Sequence, residues 1–224
     1  MIAHPSPNFG LRPDGASIDI LVIHYTGMES GDAALARLCD PDAEVSAHYL
    51  IEEDGRIFQL VEDADRAWHA GVASWRGAAD INDRSIGIEL VNPGHEFGYR
   101  PFPDPQMTAL IALAGELLVR HDIPAHNIVG HSDVAPVRKQ DPGELFDWRR
   151  LAEAGIGLWP AASDETAGAG DAADASTLLR TIGYDASDLE AAVTAFQRRY
   201  LPRRIDGRVD RDVLDRLAAV AALI

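Results

Sequence analysis

The sequence has little cysteine, little lysine and few positive charges overall. Its 224 residues include one cysteine, Cys39, which excludes an internal disulfide and a cysteine-rich zinc site. The formal net charge of −16 argues against nonspecific binding to nucleic acid or to an anionic membrane, because both need a basic surface. No apolar run approaches the ~20 residues that a membrane span needs. We therefore expect a soluble protein that neither binds nucleic acid nor inserts into a membrane.

The amino terminus also lacks the basic start and the apolar run of a secretory signal. This absence predicts a cytoplasmic protein. The alternative is a periplasmic protein whose signal sequence has been removed.

Lysine occurs once, as Lys139, among 20 lysine and arginine residues. An ammonium group is compact and sits on a flexible stem, so the planar guanidinium of arginine does not replace it at a tight site. The ordinary interpretation is a solvated surface lysine. The alternative is a functional role that depends on the neighbouring residues.

Residues 160–175 differ in composition from the rest of the chain. They include four acidic residues, no basic residue and almost no large apolar side chain. Such a segment cannot bury enough surface to offset its ordering entropy, so we predict a flexible acidic linker. It divides the chain into a larger domain, residues 1–159, and a smaller one, residues 176–224.

The first part of the chain mixes strand and helix patterns. Residues 18–24 and 85–91 are apolar, β-branched runs of strand length. Residues 45–51 and 56–61 predict a hairpin with a type I′ turn at Asp54-Gly55. Asp104 followed by proline predicts a helix with Asp104 as its N-cap. Strands interleaved with helices indicate an α/β or α+β domain.

The second part of the chain is predicted to be helical. The sequence Ser187-Asp-Leu-Glu190 has the form of a capping box, and an apolar stripe follows it. Further helices are expected near residues 177–182 and from about residue 208. A three-helix module of this size is typical of binding rather than of catalysis.

Three residues have the chemistry of zinc ligands. Zinc hydrolases need three nitrogen or carboxylate ligands and a fourth position left open for water. His24 ends a buried strand, His131 follows the apolar Ile128-Val129, and Asp141 precedes the turn-forming Pro142-Gly143. These are candidate ligands for one zinc ion per chain. No fixed short spacing connects His24 to the other two, so a hydrogen-bonded core histidine and a turn-capping aspartate stay open as alternatives.

Six motifs follow one another along the first part of the chain. They are His24-Tyr-Thr, Ser46-Ala-His-Tyr-Leu-Ile, Ala67-Trp-His-Ala-Gly, Ser85-Ile-Gly-Ile-Glu, Gly130-His-Ser-Asp-Val-Ala-Pro and Arg138-Lys-Gln-Asp-Pro-Gly. With these motifs, nearly all of residues 12–159 closely resembles the type 2 N-acetylmuramoyl-L-alanine amidases. Within them the resemblance is to the AmiD and AmpD group, which is related to phage T7 lysozyme and to peptidoglycan recognition proteins. The tail resembles a helical peptidoglycan-binding module over a shorter stretch.

The resemblance implies an α/β fold with a mixed central sheet flanked by helices, followed by a small three-helix module. It also implies that His24, His131 and Asp141 hold zinc and that Glu89 is the catalytic carboxylate. The implied reaction is hydrolysis of the amide bond between the lactyl group of N-acetylmuramic acid, in its 1,6-anhydro form or not, and L-alanine of the stem peptide. Peptidoglycan fragments, in recycling, or polymeric peptidoglycan, in cell wall degradation, would be the partners.

We expect catalytic roles for Glu89 and Lys139. Strand alternation places Gly87 and Glu89 on the face opposite the large apolar side chains, and a glycine beside the glutamate leaves room for substrate. Lys139 and Asp141 are two residues apart, so in an extended segment their side chains leave the same face. Glu89 would take the proton of the attacking water and pass it to the leaving amine, while zinc and Lys139 stabilise the oxyanion.

Five more residues are candidates for supporting roles. His69 resembles a substrate-cleft position and Trp68 offers a flat apolar face beside it, with local packing as the alternative. Asn92 could bond a stem peptide or cap the turn that follows it. Arg138 would meet substrate carboxylates or be solvated. His48 lies on an alternating strand, and we expect it to orient other groups rather than bind the metal.

The tail contains an arginine cluster around one interhelical turn. Its members are Arg198, Arg199, Arg203, Arg204, Arg208 and Arg211. They could receive stem-peptide carboxylates. The alternative is a solvated face in an acidic protein.

Two other functions stay open from the sequence. One is a noncatalytic peptidoglycan receptor, which would keep the cleft and only bind. The complete ligand set together with Glu89 and Lys139 favours catalysis. The other is a zinc peptidase that cleaves a bond within the stem peptide.

Overall fold

The structure, a computed structural model, describes residues 1–161 and 172–224. Its ten strands, all short, are β1 (Ile2–Ala3), β2 (Phe9–Leu11), β3 (Ile20–Tyr25), β4 (Tyr49–Ile51), β5 (Ile57–Gln59), β6 (Asp65–Ala67), β7 (Ser74–Trp75), β8 (Ala78–Ala79), β9 (Ser85–Leu90) and β10 (Ile128–Gly130). The helices in this part of the chain are α1 (Gly31–Leu38), α2 (Gly94–Phe97), α3 (Asp104–His121), α4 (His131–Val134), α5 (Trp148–Glu153), α6 (Ala172–Ile182), α7 (Leu189–Tyr200) and α8 (Arg211–Ala221). Short 3-10 turns span Pro41–Ala43, Ile81–Arg84 and Ala125–Asn127.

The main sheet has six strands in the order β1-β5-β4-β9-β3-β10. All of its neighbours are parallel except β4 and β5, which form the predicted hairpin. Strands β3 and β9 pair in register over their whole length, so that His24 lies opposite Glu89. The predicted mixed sheet flanked by helices is confirmed.

The two faces of the sheet pack against different helices. On one face, a core cluster joins alternate sheet residues to α3; it includes Leu21, Ile23, Ile86, Ile88, Met107, Leu110 and Leu117. On the other face, a second cluster joins the remaining positions of β3 to the C-terminal helices; it includes Ile20, Val22, Val129, Leu179, Phe196 and Leu217. The face that carries His24 and Glu89 is therefore the face that α6–α8 cover in part.

Local details of three predicted elements differ from the structure. The hairpin turn is not type I′, because that turn needs positive φ at both central residues, whereas among the residues of this loop only Gly55 has positive φ (89°), and its N–H donates to the Glu52 carbonyl at 2.9 Å. Helix α3 has Pro103 rather than Asp104 as its N-cap. In α7 the capping side chain is that of Asp188, which accepts from the Ala191 N–H, because Ser187 lies one residue too early.

The predicted domain division stays a prediction. Most of the acidic linker, residues 162–171, lies outside the described residues. Helix α6 begins at Ala172, within the segment assigned to the linker and before the helix predicted near residues 177–182. Helix α8 begins at Arg211 rather than about residue 208, and its inward residues Val213, Leu217 and Val220 are buried.

No helix in the described part of the chain combines the length and the apolar character that a membrane crossing requires. The longest, α3, buries one side against the sheet and carries charged residues on the other.

Candidate active site

Three buried side chains converge at one edge of the sheet. His24 lies near the end of β3, and His131 is the first residue of α4, directly after β10. Because β3 and β10 are parallel neighbours, both histidines leave the sheet at the same edge. Asp141 reaches this point from the loop after α4, and its carbonyl accepts from the Ser132 N–H at 2.9 Å.

The ligand atoms form a compact triangle. His24 Nδ1 lies 2.9 Å from His131 Nδ1, and each of these nitrogens lies 3.1 Å from Asp141 Oδ2. The three residues are 1%, 3% and 6% exposed. The structure thus brings together the three residues that the sequence predicted as ligands, as a group able to hold a metal ion.

Burial and mutual charge set the protonation of the triangle. Burial, with the nearby His131, lowers the pKa of His24 to about 4. Burial opposes ionisation of Asp141, but interactions with His131 and His24 prevail and hold the pKa of that carboxyl well below its usual range. Both histidine–aspartate pairs thus favour an ionised carboxylate at the centre of the site.

The donor set fits a zinc ion. His131 Nε2 lies 3.0 Å from the Ala70 carbonyl, which only accepts, so Nε2 carries the proton and Nδ1 presents a lone pair. A neutral His131 in this tautomer offers Asp141 no donor, so the low pKa of Asp141 calls for a positive charge between the two groups, either a second ring proton or a metal ion. A divalent cation supplies this charge, and two imidazole nitrogens with one carboxylate oxygen are ligands that zinc takes in hydrolases.

Glu89 lies beside this triangle on the neighbouring strand. Its partner across the β3–β9 pair is His24. Burial, with the negative charge of Asp141, raises the pKa of the Glu89 carboxyl well above its ordinary value, while Lys139 acts in the opposite direction. Among the described residues, its Oε2 atom has no hydrogen-bond partner. A buried carboxylate oxygen without a partner is suited to proton transfer rather than to structural support.

Lys139 follows a turn that ends directly before Gln140 and Asp141. Its N–H donates to the Ala135 carbonyl at 3.0 Å. The side chain is exposed and lines the same cleft as Glu89 and Asp141, a cavity of about 390 Å³. That Lys139 and Asp141 leave a shared face stays a prediction.

His69 occupies the space that the sequence assigned to substrate. A Cβ atom on Gly87 would lie 2.5 Å from His69 Cγ. The absent side chain of Gly87 therefore leaves room for the imidazole of His69, and the expectation that it leaves room for substrate was wrong. His69 Nδ1 lies 3.0 Å from His24 Nε2, and His69 Nε2 lies 3.1 Å from Ser85 Oγ.

The other predicted cleft residues divide into two groups. Trp68 and Arg138 line the cleft, and the Arg138 guanidinium donates to the carbonyls of Ala70 and Val72. Asn92 is buried; its Nδ2 donates to the Arg100 carbonyl at 2.7 Å and its Oδ1 accepts from the Gly94 N–H at 3.0 Å. These contacts favour the turn-capping alternative for Asn92.

His48 is buried behind His69. Its Nδ1 accepts from the Gly87 N–H at 3.0 Å, and its Nε2 lies 3.2 Å from the Asp65 carbonyl. Burial and the charge of Arg12 lower the pKa of His48 to about 3. Its ring contacts that of His69, with centroids 5.6 Å apart, so it supports a neighbour of His24.

The tail arginines mostly pair with acidic residues. Arg204 donates to Asp210 at 2.8 Å, and Arg211 pairs with Asp215 at the same distance. Arg199 differs, because it is 5% exposed and donates to the buried Asp133 at 2.7 Å. The solvated-face interpretation thus describes Arg203, Arg204, Arg208 and Arg211 but not Arg199, nor Arg198, whose side chain is 13% exposed and lies 3.9 Å from Glu144.

Asp133 connects the tail to the helix that carries His131. One oxygen accepts from the Gly130 N–H at 2.8 Å and from Arg199, and the other accepts from the Tyr184 hydroxyl at 2.6 Å. The guanidinium of Arg199 also lies 3.9 Å over the ring of Trp148. Sequence reasoning missed this contact; the acidic residue three positions after Gly130 is the signal of a helix start that it could have used.

The chain is similar in sequence to known proteins. A family model described as N-acetylmuramoyl-L-alanine amidase matches residues 14–144. The chain is 40% identical to the N-acetylmuramoyl-L-alanine amidase AmiD of Escherichia coli, over 87% of this chain and 79% of that protein. It is 39% identical to the 1,6-anhydro-N-acetylmuramyl-L-alanine amidase AmpD of Citrobacter freundii, over 66% of this chain and 86% of that protein.

A solved structure is similar over nearly the whole chain. It is E. coli AmiD in complex with the substrate anhydro-N-acetylmuramic acid-L-Ala-D-γ-Glu-L-Lys. The TM-score is 0.85 at 37% identity, with 95% of this chain and 92% of that chain covered. The similarity therefore extends beyond the region that the family model matches.

Proposed function

The chain belongs to the N-acetylmuramoyl-L-alanine amidase family, and from this premise we propose that it hydrolyses the amide bond between the lactyl group of (1,6-anhydro-)N-acetylmuramic acid and L-alanine. The observation that carries the proposal is the buried triangle of His24, His131 and Asp141, two of whose members, His131 and Asp141, line one cleft with Glu89 and Lys139. The similarity to AmiD with its bound anhydromuropeptide supports this substrate class.

His24, His131 and Asp141 would hold one zinc ion. When bound, zinc polarises the scissile carbonyl and lowers the pKa of water toward neutrality. The protein's own contribution is to present two imidazole nitrogens and one carboxylate oxygen at a single point and to leave the cleft side of that point open.

Glu89 would move the proton. In the ionised form it takes a proton from the attacking water, and it then gives that proton to the nitrogen of the leaving L-alanine as the C–N bond breaks. The raised pKa of the Glu89 carboxyl favours the first half of this transfer, because a carboxylate with a raised pKa is a stronger base toward the attacking water. The products are the muramoyl carboxylate and a peptide with a free L-alanine amino group.

Lys139 would stabilise the oxyanion. As water adds to the carbonyl carbon, negative charge develops on the carbonyl oxygen. The only lysine of the chain reaches the cleft that Glu89 and Asp141 line, and it brings a compact positive charge to a site that also contains two carboxylates. Arg138, on the same wall, would meet the carboxylates of the stem peptide, and Trp68 would pack against its apolar parts.

We infer that the substrates are peptidoglycan fragments rather than the intact polymer. AmpD is named as an amidase of the 1,6-anhydro sugar, and the AmiD structure holds a substrate with the anhydro sugar. A comparison of cleavage of 1,6-anhydromuropeptides with cleavage of intact sacculi tests this directly. The cytoplasmic location predicted from the sequence stays a prediction, and cell fractionation with an antibody to the protein tests it.

Mass spectrometry of the products tests the reaction. Zinc-loaded protein is incubated with an anhydromuropeptide, and we expect the free peptide beginning with L-alanine together with the intact anhydro sugar. Peptide fragments that still carry the sugar would instead show a peptidase within the stem. Tight binding with no cleavage would show a receptor.

A further inference from the structure

We propose that His69, Asn82 and Ser85 are positioning residues that fix both histidines of the metal site in the tautomer whose Nδ1 is free to bind. This inference rests on the proposed zinc site and adds to it the groups that hold its ligands. None of the three was assigned such a role from the sequence.

On the His131 side the network is a single contact. His131 Nε2 lies 3.0 Å from the carbonyl oxygen of Ala70. A carbonyl only accepts, so this contact places the proton on Nε2 and leaves the Nδ1 lone pair directed at the centre of the triangle.

The His24 side uses a chain of three hydrogen bonds. The Ser85 hydroxyl donates to the Ile81 carbonyl at 2.7 Å, so its oxygen accepts from His69 Nε2 at 3.1 Å. His69 Nδ1 is then an acceptor, and the N–H of His24 Nε2 donates to it at 3.0 Å. The result is the same as for His131, because His24 Nδ1 is left without a proton. A backbone carbonyl determines the tautomer in both cases, directly for His131 and through two side chains for His24.

Asn82 holds the two partners in place together. Its Oδ1 accepts from the backbone N–H of His69 at 3.2 Å and from that of Ala70 at 2.8 Å. His69 and Ala70 are consecutive residues. His69 contacts His24 through its side chain, and Ala70 contacts His131 through its carbonyl. Asn82 is 6% exposed and Ser85 is fully buried, so water does not replace either contact easily.

Gly87 completes the arrangement. The ring of His69 lies where any Cβ on Gly87 would be, 2.5 Å from Cγ and 2.6 Å from Nδ1. His69 is thus packed in one orientation between Gly87 and His24. Outer partners of this kind change metal affinity by about 10–100-fold when they are removed, and we expect changes of this size.

Zinc affinity of the full-length chain is the test, measured by competition with a chromogenic chelator so that activity is not needed. His69→Phe and Asn82→Leu should each raise the Kd for zinc by about 10–100-fold. Asn82→Asp keeps an acceptor oxygen for both N–H groups and should stay near the wild-type value. Asn127→Leu removes another buried asparagine, whose partners are Asp19 and Trp75, and serves as the control for general packing damage.

Ser85→Ala is the smaller change to use if His69→Phe or Asn82→Leu prevents folding. It removes only the hydroxyl that connects His69 to the Ile81 carbonyl. We expect a weaker zinc affinity and, in ¹⁵N NMR spectra of the zinc-loaded protein, a changed tautomer signal for His69. Wild-type zinc affinity in His69→Phe and Asn82→Leu, or zinc bound through Nε2 of His24 or His131 in the ¹⁵N spectra of the zinc-loaded wild type, would overturn the proposal.

The outcome is separable from that of the proposed reaction. A wild-type protein that binds zinc but leaves muropeptides intact would refute the amidase and leave the positioning network standing. Unchanged zinc affinity in the variants of a fully active enzyme would refute the network and leave the amidase standing.

Discussion

Asp133 and Asp141 are two buried carboxylates on the same stretch of chain, and their surroundings are opposite. Asp133 accepts from a backbone N–H, a tyrosine hydroxyl and the guanidinium of Arg199. Among the described residues, the Asp141 carboxylate meets the Nδ1 atoms of His24 and His131. A carboxylate saturated with donors supports structure, whereas one that meets two imidazole nitrogens can hold a metal ion with them. This difference distinguishes the candidate metal site from the junction with the tail.

The largest effect should come from Asp141→Ala. It removes one ligand and the negative charge, so we expect zinc to be lost and cleavage of anhydromuropeptide to fall below detection. Metal content by atomic spectroscopy and a product assay measure the two effects. Wild-type protein stripped with a chelator should behave in the same way and recover when zinc is added. Retained zinc and activity in the variant would remove the distinction between the two aspartates.

Glu89→Gln should have the next largest effect. Removal of a general acid–base group costs about 10²–10⁴-fold in rate, so kcat should fall by that factor while zinc stays bound. The amide keeps the shape of the side chain and serves as its own packing control. A variant with full activity would show that the unpaired oxygen of Glu89 does not transfer the proton.

Lys139→Arg should lower the rate although the charge is kept. Loss of one oxyanion donor costs about 10²–10³-fold in kcat, and the wider guanidinium is not expected to restore it. The exposed Arg180→Lys, on α6, is the matched control. Steady-state kinetics of both variants would show the effect, and a near-normal kcat for Lys139→Arg would mean that the lysine does not approach the oxyanion.

Arg199→Met should have the smallest effect on kcat and a large effect on stability. It leaves Asp133 buried without its cation, which costs about 3–5 kcal/mol in the free energy of unfolding. Urea unfolding measures this, and the exposed Arg203→Met should change it by less than about 0.5 kcal/mol. Wild-type stability in Arg199→Met would show that the Asp133 junction does not hold the tail, and the comparison with Asp141 would fail.

Much of the sheet and the whole metal triangle could be predicted from the sequence. Strands β3 and β9 are apolar and β-branched runs, and these patterns depend on local composition alone. His24, His131 and Asp141 follow from ordered motifs, since each ends an element or precedes a turn. Their convergence needed the resemblance, because no fixed short spacing connects His24 to the other two.

Other features depend on packing between distant residues and could not be predicted. The role of Gly87 is set by the ring of His69, which arrives from a separate loop. The turn that precedes Lys139 is closed by a backbone hydrogen bond to Ala135, which no sequence pattern indicated. Arg199 looked like one more solvated arginine because its partner Asp133 is remote in sequence.

The Arg199–Asp133 contact has a practical consequence for anyone who shortens this protein. A chain cut after residue 161 would lose Arg199 and Tyr184, and it would uncover the face of Trp148 on which the guanidinium lies. The C-terminal helices therefore cannot be removed without exposing buried groups of α4 and α5. A minimal enzyme would need a hydrophobic replacement at position 133 and a polar one at position 148 before it could dispense with its last three helices.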